Sequence, residues 1–327
     1  MSKTLIIFTG GTIAMSADPR SGASVPGVSG ADILSGIHHL ESMGEFETME
    51  FSELPSPQIT PKHMLSLARL LRKEMKRDEI ESVVITHGTD TLEETAYFLD
   101  LSVVTDKPIV LVGSMRNASE LGYDGPSNLA SAIVTARSPE SVGRGVLIVL
   151  NNQVNSAREA TKTNTLSLDT FKSLEFGPLG VVDNNEVLYF REANPRSQIP
   201  VDAIEERVYL LKAYAGIGRE ELDFFVSIGA KGIVIEALGR GNLTPVSARG
   251  VADAIEKGVH IVIVSRCPTG RVLWTYGYEG AGRQLKEAGA YFGPSINGQK
   301  MRIKLMLALA MTDNRETIRH MIEQDDF

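Results

Sequence analysis

Two short segments, each following an apolar run, concentrate side chains able to do acyl-transfer chemistry. Leu5 to Phe8 leads into Thr9-Gly10-Gly11-Thr12-Ile13-Ala14, and Val83 to Ile85 leads into Thr86-His87-Gly88-Thr89-Asp90-Thr91. In the first, two glycines precede a hydroxyl. Glycine adopts backbone angles closed to other residues and lets a ligand approach main-chain N–H groups. Thr12 is thereby a candidate nucleophile, and a structural threonine in a strand-to-loop turn is the plain alternative. A phosphate loop fits less well, because Gly10-Gly11-Thr12 lacks both the spacing and the lysine of that motif.

The second segment places a hydroxyl, a carboxylate and an imidazole together. Asp90-Thr91-Leu92-Glu93 has the form of a capping box opening a helix over Glu93 to Leu101. The same carboxylate, ionised beside a pocket, can accept hydrogen bonds from a substrate ammonium. His87 reads as a packed, hydrogen-bonded residue rather than a base. An alcohol nucleophile needs a neighbour that takes its proton, and a lysine of lowered pKa can serve. Lys162, in Arg158-Glu159-Ala160-Thr161-Lys162-Thr163-Asn164, is the candidate, although by type alone it reads as a solvated surface lysine.

These residues need a scaffold, and the pattern around them specifies one. Apolar runs at Leu5 to Phe8, Val83 to Thr86, Ile109 to Gly113 and Val146 to Leu150 alternate with longer stretches of helical period, the signature of a parallel α/β sheet. Thr60-Pro61 and Gly125-Pro126 are start signals for helices over His63 to Arg77 and Asn128 to Arg137. Around Arg191 to Glu206 the pattern loosens into a polar segment with Asn194, Pro195, Ser197 and Pro200. The expected architecture is α/β: a larger N-terminal parallel-sheet domain with flanking helices (1–190), a linker (191–206) and a smaller C-terminal α/β domain (207–327). In open sheets of this kind ligands bind beyond the carboxyl ends of the strands, where both threonine segments fall.

Composition narrows the partners. The 327 residues are 43% hydrophobic and 23% charged, with net charge −8, and the lysines and arginines are scattered, so nucleic acid is not an expected partner. The single cysteine, Cys267, rules out an intramolecular disulfide and fits a reducing compartment. Leu5 to Phe8 is shorter than the roughly 7–15 apolar residues of a secretory signal, and no apolar segment approaches the ~20 residues of a membrane-spanning helix. The expectation is a cytoplasmic protein without membrane association.

Taken together, Thr9 to Ala14, the segment THGTDTLEETAYFLDL from Thr86 to Leu101, Asp124-Gly125-Pro126, Thr161-Lys162-Thr163-Asn164 and Gly241-Asn242-Leu243 resemble the bacterial L-asparaginase/glutaminase family along nearly the whole chain. The resemblance implies hydrolysis of L-asparagine to L-aspartate and ammonia, with weak L-glutaminase activity possible and no metal or cofactor. It implies Thr12 as nucleophile of an acyl-enzyme mechanism. Thr89, Asp90 and Lys162 then form a second group in which Lys162 draws on the Thr89 hydroxyl. Oxyanion donors are expected from the main chain at Thr89 and around Ala118. Ser56 is expected to hold the substrate α-carboxylate and Asp90 its α-ammonium. Asn242 is implied to reach a neighbouring subunit's pocket, in a homotetramer built as a dimer of dimers.

The sequence departs from the family pattern in the loop Met15 to Gly30. Secreted members carry a tyrosine there that helps activate the nucleophile, and this loop has none. Tyr276, Tyr278 and Glu279 are the expected sources of a compensating group. The loop itself, with its glycines and prolines, reads as a lid over the substrate. Pro57 and Gln58 also replace the usual residues after the serine, which bears on glutamine use. Two other readings compete. A transfer-RNA-dependent amidotransferase subunit would carry a further amino-terminal domain before the TGGTIA strand, which here begins at residue 3. An amino-acid-binding sensor would keep the pocket and lose turnover.

Overall fold

The computed structural model describes residues 2–194 and 196–324. Met1, Pro195 of the expected linker and residues 325–327 of the expected C-terminal domain lie outside the described residues. The chain divides into two compact units, Met1–Gln198 and Ile199–Phe327.

The first unit runs through β1 (Lys3–Phe8), β2 (Met15–Ala17), β3 (Ser24–Pro26), α1 (Gly30–Ser35), β4 (Glu45–Glu50), α2 (Pro61–Glu74), β5 (Ile80–Thr86) and α3 (Leu92–Ser102). It continues through β6 (Ile109–Val112), α4 (Gly125–Arg137), β7 (Val146–Leu150), β8 (Gln153–Ser156), β9 (Ala160–Lys162), β10 (Phe171–Ser173), β11 (Gly180–Asp183) and β12 (Glu186–Tyr189). Eight strands form one sheet in the order β12-β11-β8-β7-β6-β5-β1-β4. The five from β7 to β4 are parallel, and β8, β11 and β12 extend them antiparallel. Parallel strands covered on both faces must be apolar throughout. Val83, Val84 and Ile85 of β5 accordingly bury completely, as do Leu147, Ile148 and Val149 of β7. Each such side chain contributes roughly 1.5–3 kcal/mol of burial. Leu129, Ala132 and Ile133 of α4 pack on one face against Ile6, Val84, Val110 and Leu147.

The strand order β4-β1-β5-β6-β7 fixes where a ligand can sit. From β1 the chain passes to β4 along one edge of that strand, then returns to β5 along its other edge. The loops after β1 and β5 therefore diverge at a topological switch point, where open α/β sheets leave a crevice. Phe8 and Thr86 pair at the carboxyl ends of these two strands, so Thr9–Thr12 and His87–Thr91 leave the sheet side by side.

Within the Met15 to Gly30 loop β2 pairs antiparallel with β3 as a hairpin. Its turn is closed by Asp18, whose carboxylate accepts from the N–H groups of Arg20 and Ser21. Helix α3 starts at Leu92 without the expected capping box: its N-cap Thr91 makes no side-chain cap bond. Asp90, Thr91 and Glu93 each have tertiary partners, which outcompete a local cap.

The second unit contains β13 (Val208–Lys212), α5 (Glu220–Ser227), β14 (Gly232–Ala237), α6 (Pro245–Glu256), β15 (His260–Ser265), α7 (Gly282–Ala288), β16 (Tyr291–Phe292), α8 (Gly298–Met311) and α9 (Arg315–Glu323). Its sheet is parallel in the order β13-β14-β15-β16. Ile233, Ile235, Ile261 and Ile263 meet Val251 of α6 and Leu285 of α7 in its core. The α/β architecture, with a larger mostly parallel N-terminal sheet and a smaller parallel one behind it in sequence, is the one the apolar runs predict. Among the described residues, no helix is long and apolar enough to cross a membrane.

Candidate active site

The switch point is assembled by backbone contact. Gly10 and Gly11 have φ of 95° and 88°. A Cβ added to Gly11 would lie 2.3 Å from the Gly88 nitrogen and 2.4 Å from its Cα. The glycine pair thus admits a neighbouring loop, where the sequence suggests close approach of a ligand. Thr12 and Thr89, the residues that follow, both depart from this contact. Thr12 is half-buried and opens a single 3-10 turn, Thr12–Ala14. Thr9 anchors the loop by donating to the Thr86 carbonyl at 2.7 Å.

Lys162 is brought to the second loop by the β9–β10 hairpin. Its Nζ donates to Thr89 Oγ1 at 2.9 Å and to Asp90 Oδ1 at 2.6 Å. The surface-lysine alternative fails here: the Lys162 side chain is 18% exposed, against 58% for Asp90. Thr89 is buried, whereas Asp90 keeps one side open to solvent. Beside them, Thr161 Oγ1 donates to the buried Glu93 at 3.2 Å, tying β9 to α3. A buried hydroxyl held by an ammonium, with an accessible carboxylate on the same ammonium, is a proton-relay arrangement that also offers an anionic subsite.

Ser56, buried in a short 3-10 turn at Ser56–Gln58, completes the cluster. Its Oγ accepts from the Asp90 N–H at 3.2 Å, and its carbonyl accepts from Thr91 Oγ1 at 2.8 Å. A Cβ on Gly88 would meet Ser56 Oγ at 2.7 Å, so three segments converge within one residue of each other. Thr12, Ser56, Thr89, Asp90 and Lys162 therefore belong to one unit and one sheet edge. A cavity of about 420 Å³ opens beside the same loop, lined in part by Gly10, Gly11, Glu50 and Glu53. Burial raises the Glu50 carboxyl above its ordinary value.

His87 is structural. It is buried, with Nδ1 2.7 Å from the Gly88 carbonyl and Nε2 2.9 Å from Thr95 Oγ1. A carbonyl only accepts, so Nδ1 carries the proton and Nε2 accepts from the threonine. Burial lowers the imidazole pKa from 6.5 to about 4. Below pH 6.5 the unfolded chain takes up a proton that the buried ring refuses, so this contribution is complete above 6.5 and declines as pH falls toward 4. The full span is about 3 kcal/mol, and half-buried His260, also lowered to about 4, adds in the same window. Urea unfolding should show His87→Asn losing about 2 kcal/mol less than wild type between about pH 7.5 and about pH 5. Equal losses would remove His87 as an acid sensor.

The segment 114–124 borders the hairpin. Asp124 accepts from the N–H groups of Met115 and Arg116 and from Asn128 Nδ2. Ala118 N–H donates to the Met15 carbonyl at 2.9 Å. It is therefore engaged and does not serve as the expected oxyanion donor in this arrangement. Ser119 Oγ accepts from Ala17 N–H, and Asn117 Nδ2 donates to Ser24 Oγ. Tyr123, which the sequence reading passed over, donates its hydroxyl to the Ile13 carbonyl at 2.5 Å. The available signal was an aromatic residue immediately before Asp124-Gly125-Pro126.

The remaining candidates lie in the second unit. Asn242, half-buried just beyond β14, accepts from the Gly282 N–H at 3.2 Å and forms a backbone bridge with Leu238. Glu279 is ion-paired with Arg249, and Tyr276 and Tyr278 are exposed with ring centroids 5.8 Å apart. Among the described residues, no cluster of His, Cys, Asp or Glu is arranged to hold a metal ion.

Fold and site together define a protein of two α/β units, with a threonine, lysine and carboxylate cluster at the switch point of the first unit's sheet. Residues 3–195 match the model of the asparaginase N-terminal domain, and residues 207–322 that of the glutaminase/asparaginase C-terminal domain. A probable L-asparaginase of Deinococcus radiodurans is 40% identical, with 100% of this chain and 99% of that one covered. L-asparaginase 2 of Bacillus subtilis is 37% identical over 96% of this chain and 84% of its own. The crystal structure of a probable cytoplasmic L-asparaginase from Campylobacter jejuni superposes with a TM-score of 0.88 at 29% identity, covering 98% and 99% of the two chains. The chain belongs to the asparaginase family.

Proposed function

We propose that this protein is an L-asparaginase that hydrolyses L-asparagine to L-aspartate and ammonia through an acyl-enzyme on Thr12. The observation that carries the reading is the Lys162 ammonium held on both Thr89 and Asp90 beside the Gly11–Gly88 contact. Thr12 Oγ attacks the side-chain amide carbon, and the Thr89 main-chain N–H stabilises the oxyanion. The proton that Thr12 Oγ gives up passes through the hydroxyl network to the amide nitrogen, and the C–N bond breaks to release ammonia and leave the ester on Thr12. Water, activated by the Thr89 hydroxyl with Lys162 behind it, then cleaves the ester and restores Thr12. Splitting amide hydrolysis in this way replaces one high barrier by two lower ones.

Ser56 and Asp90 set specificity by holding the α-carboxylate and α-ammonium of a free amino acid, so that a side-chain amide of fixed length reaches Thr12. L-Glutamine, one methylene longer, is a weak substrate on this reading. The same reading makes the protein a cytoplasmic homotetramer, a dimer of dimers, in which Asn242 completes a neighbour's pocket, and it requires no metal or cofactor. On the same proposal the catalytic domain spans 1–190 and the C-terminal domain 207–327, joined by a linker at 191–206. Steady-state ammonia release from L-asparagine and L-glutamine, with calorimetric binding of L-aspartate, tests the function. The expected result is turnover of L-asparagine at least ~10-fold above L-glutamine in kcat/KM, the scale of a one-methylene misfit. Aspartate binding without ammonia release would make the protein a sensor instead.

A further inference from the structure

A single 3-10 turn has few internal hydrogen bonds with which to hold its shape. In Thr12–Ala14 they run from the Ala14 N–H to the Gly11 carbonyl, at 2.9 Å, and from the Met15 N–H to the Thr12 carbonyl, and no side chain caps the turn. A second constraint comes from a part of the chain 110 residues away. The Tyr123 hydroxyl reaches the Ile13 carbonyl, the residue after Thr12, while the Ile13 side chain is completely buried. The hydroxyl end of the phenol lies directly over Gly125, the one residue type that leaves it room there, since an added Cβ would stand 2.3 Å from Cζ and Oη. Asp124, between the two, is fixed to Met115, Arg116 and Asn128.

The other three bonds from this segment, at Ala118, Ser119 and Asn117, land on the hairpin at Met15, Ala17 and Ser24. Of these four, only the Tyr123 bond lands inside the turn that bears Thr12, at Ile13; the next residue is held from the hairpin, whose Gly27 and Val28 N–H groups both donate to the Ala14 carbonyl at 3.1 Å. We infer that Tyr123 is a positioning residue for the nucleophile: its hydroxyl holds the Thr12 turn in the reactive orientation through the Ile13 carbonyl. The inference rests on Thr12 being the nucleophile. It gives the chain a tyrosine-dependent device for the nucleophile outside the Met15–Gly30 hairpin, which contains no tyrosine. Burial also raises the phenol pKa to about 12, so the hydroxyl remains a donor across the physiological range.

Tyr123→Phe removes the oxygen and keeps the ring over Gly125. The expected result is a fall in kcat for L-asparagine of about 10-fold, with KM and the L-aspartate Kd unchanged within about twofold and Tm within a few degrees, since a loosened turn weakens the transition state more than the ground state. Wild-type kcat in the variant would overturn the inference. So would a loss of kcat accompanied by an equal loss of aspartate affinity, which is the mark of general disorder in the pocket. Thr12→Ala, measured alongside, separates this from the parent reading. An inactive Thr12→Ala enzyme with fully active Tyr123→Phe removes only the positioning role, whereas an active Thr12→Ala enzyme removes both.

Discussion

Thr12→Ala is expected to lower kcat for L-asparagine by at least ~100-fold while L-aspartate binds within about threefold of wild type, because the acyl-enzyme route loses its nucleophile and the subsite for the amino acid does not. The asymmetry follows from the division of labour at the switch point. Ser56, Thr89, Asp90 and Lys162 are bonded to one another and need nothing from Thr12 to keep their positions. Thr12 is half-buried, and the turn carrying it is held by the main-chain bond from Ala14 and by the Tyr123 hydroxyl on the Ile13 carbonyl, neither of which uses the Thr12 side chain. Truncation should therefore cost within ~1 kcal/mol of stability. Initial-rate ammonia release and calorimetry on the same preparation measure both halves. Retained turnover would move the nucleophile to Thr89, the other hydroxyl of the cluster, whose bond from Lys162 is already formed.

The architecture was readable because parallel strands covered on both faces must be apolar throughout, as Val83 to Ile85 and Val146 to Leu150 are. The antiparallel extension was not. Strands β8, β11 and β12 are each four residues long and partly polar, and β4, Glu45–Glu50, is an edge strand whose glutamates resemble a surface loop. At the site, residue types indicated the chemistry and long-range partners decided between readings. Asp90 has the composition of a helix cap, yet Lys162, 72 residues further on, takes its carboxylate. Nothing in local spacing announces that partner. Tyr123 was passed over for the same reason, since its partner is a carbonyl 110 residues away in sequence. The glycines were legible as a place of close approach, but the approaching group is another backbone.

That backbone contact carries the second large effect. Gly11→Ala is expected to lower kcat/KM by about 100-fold, beyond what its loss of stability accounts for. The added methyl would overlap the Gly88 nitrogen and Cα, with the His87 carbonyl carbon at 2.9 Å, and main-chain atoms cannot rotate aside. Gly11 also sits at φ 88° and ψ 179°, a region essentially restricted to glycine, which adds on the order of 1–3 kcal/mol. Relief requires the loops after β1 and β5 to separate by roughly the overlap, and a displacement of about 1 Å in a reacting group is worth ~100-fold in rate. Gly143→Ala provides the reference. Gly143 has a similar φ of 78°, but its Cβ would meet nothing within 4 Å, so it carries backbone strain without a collision. Thermal unfolding should show both variants destabilised, Gly11→Ala more so, and steady-state kinetics at 25 °C should show Gly143→Ala at wild-type activity. If the two lose activity equally, the contact between the loops is not what aligns Thr12 with the Thr89, Asp90 and Lys162 group.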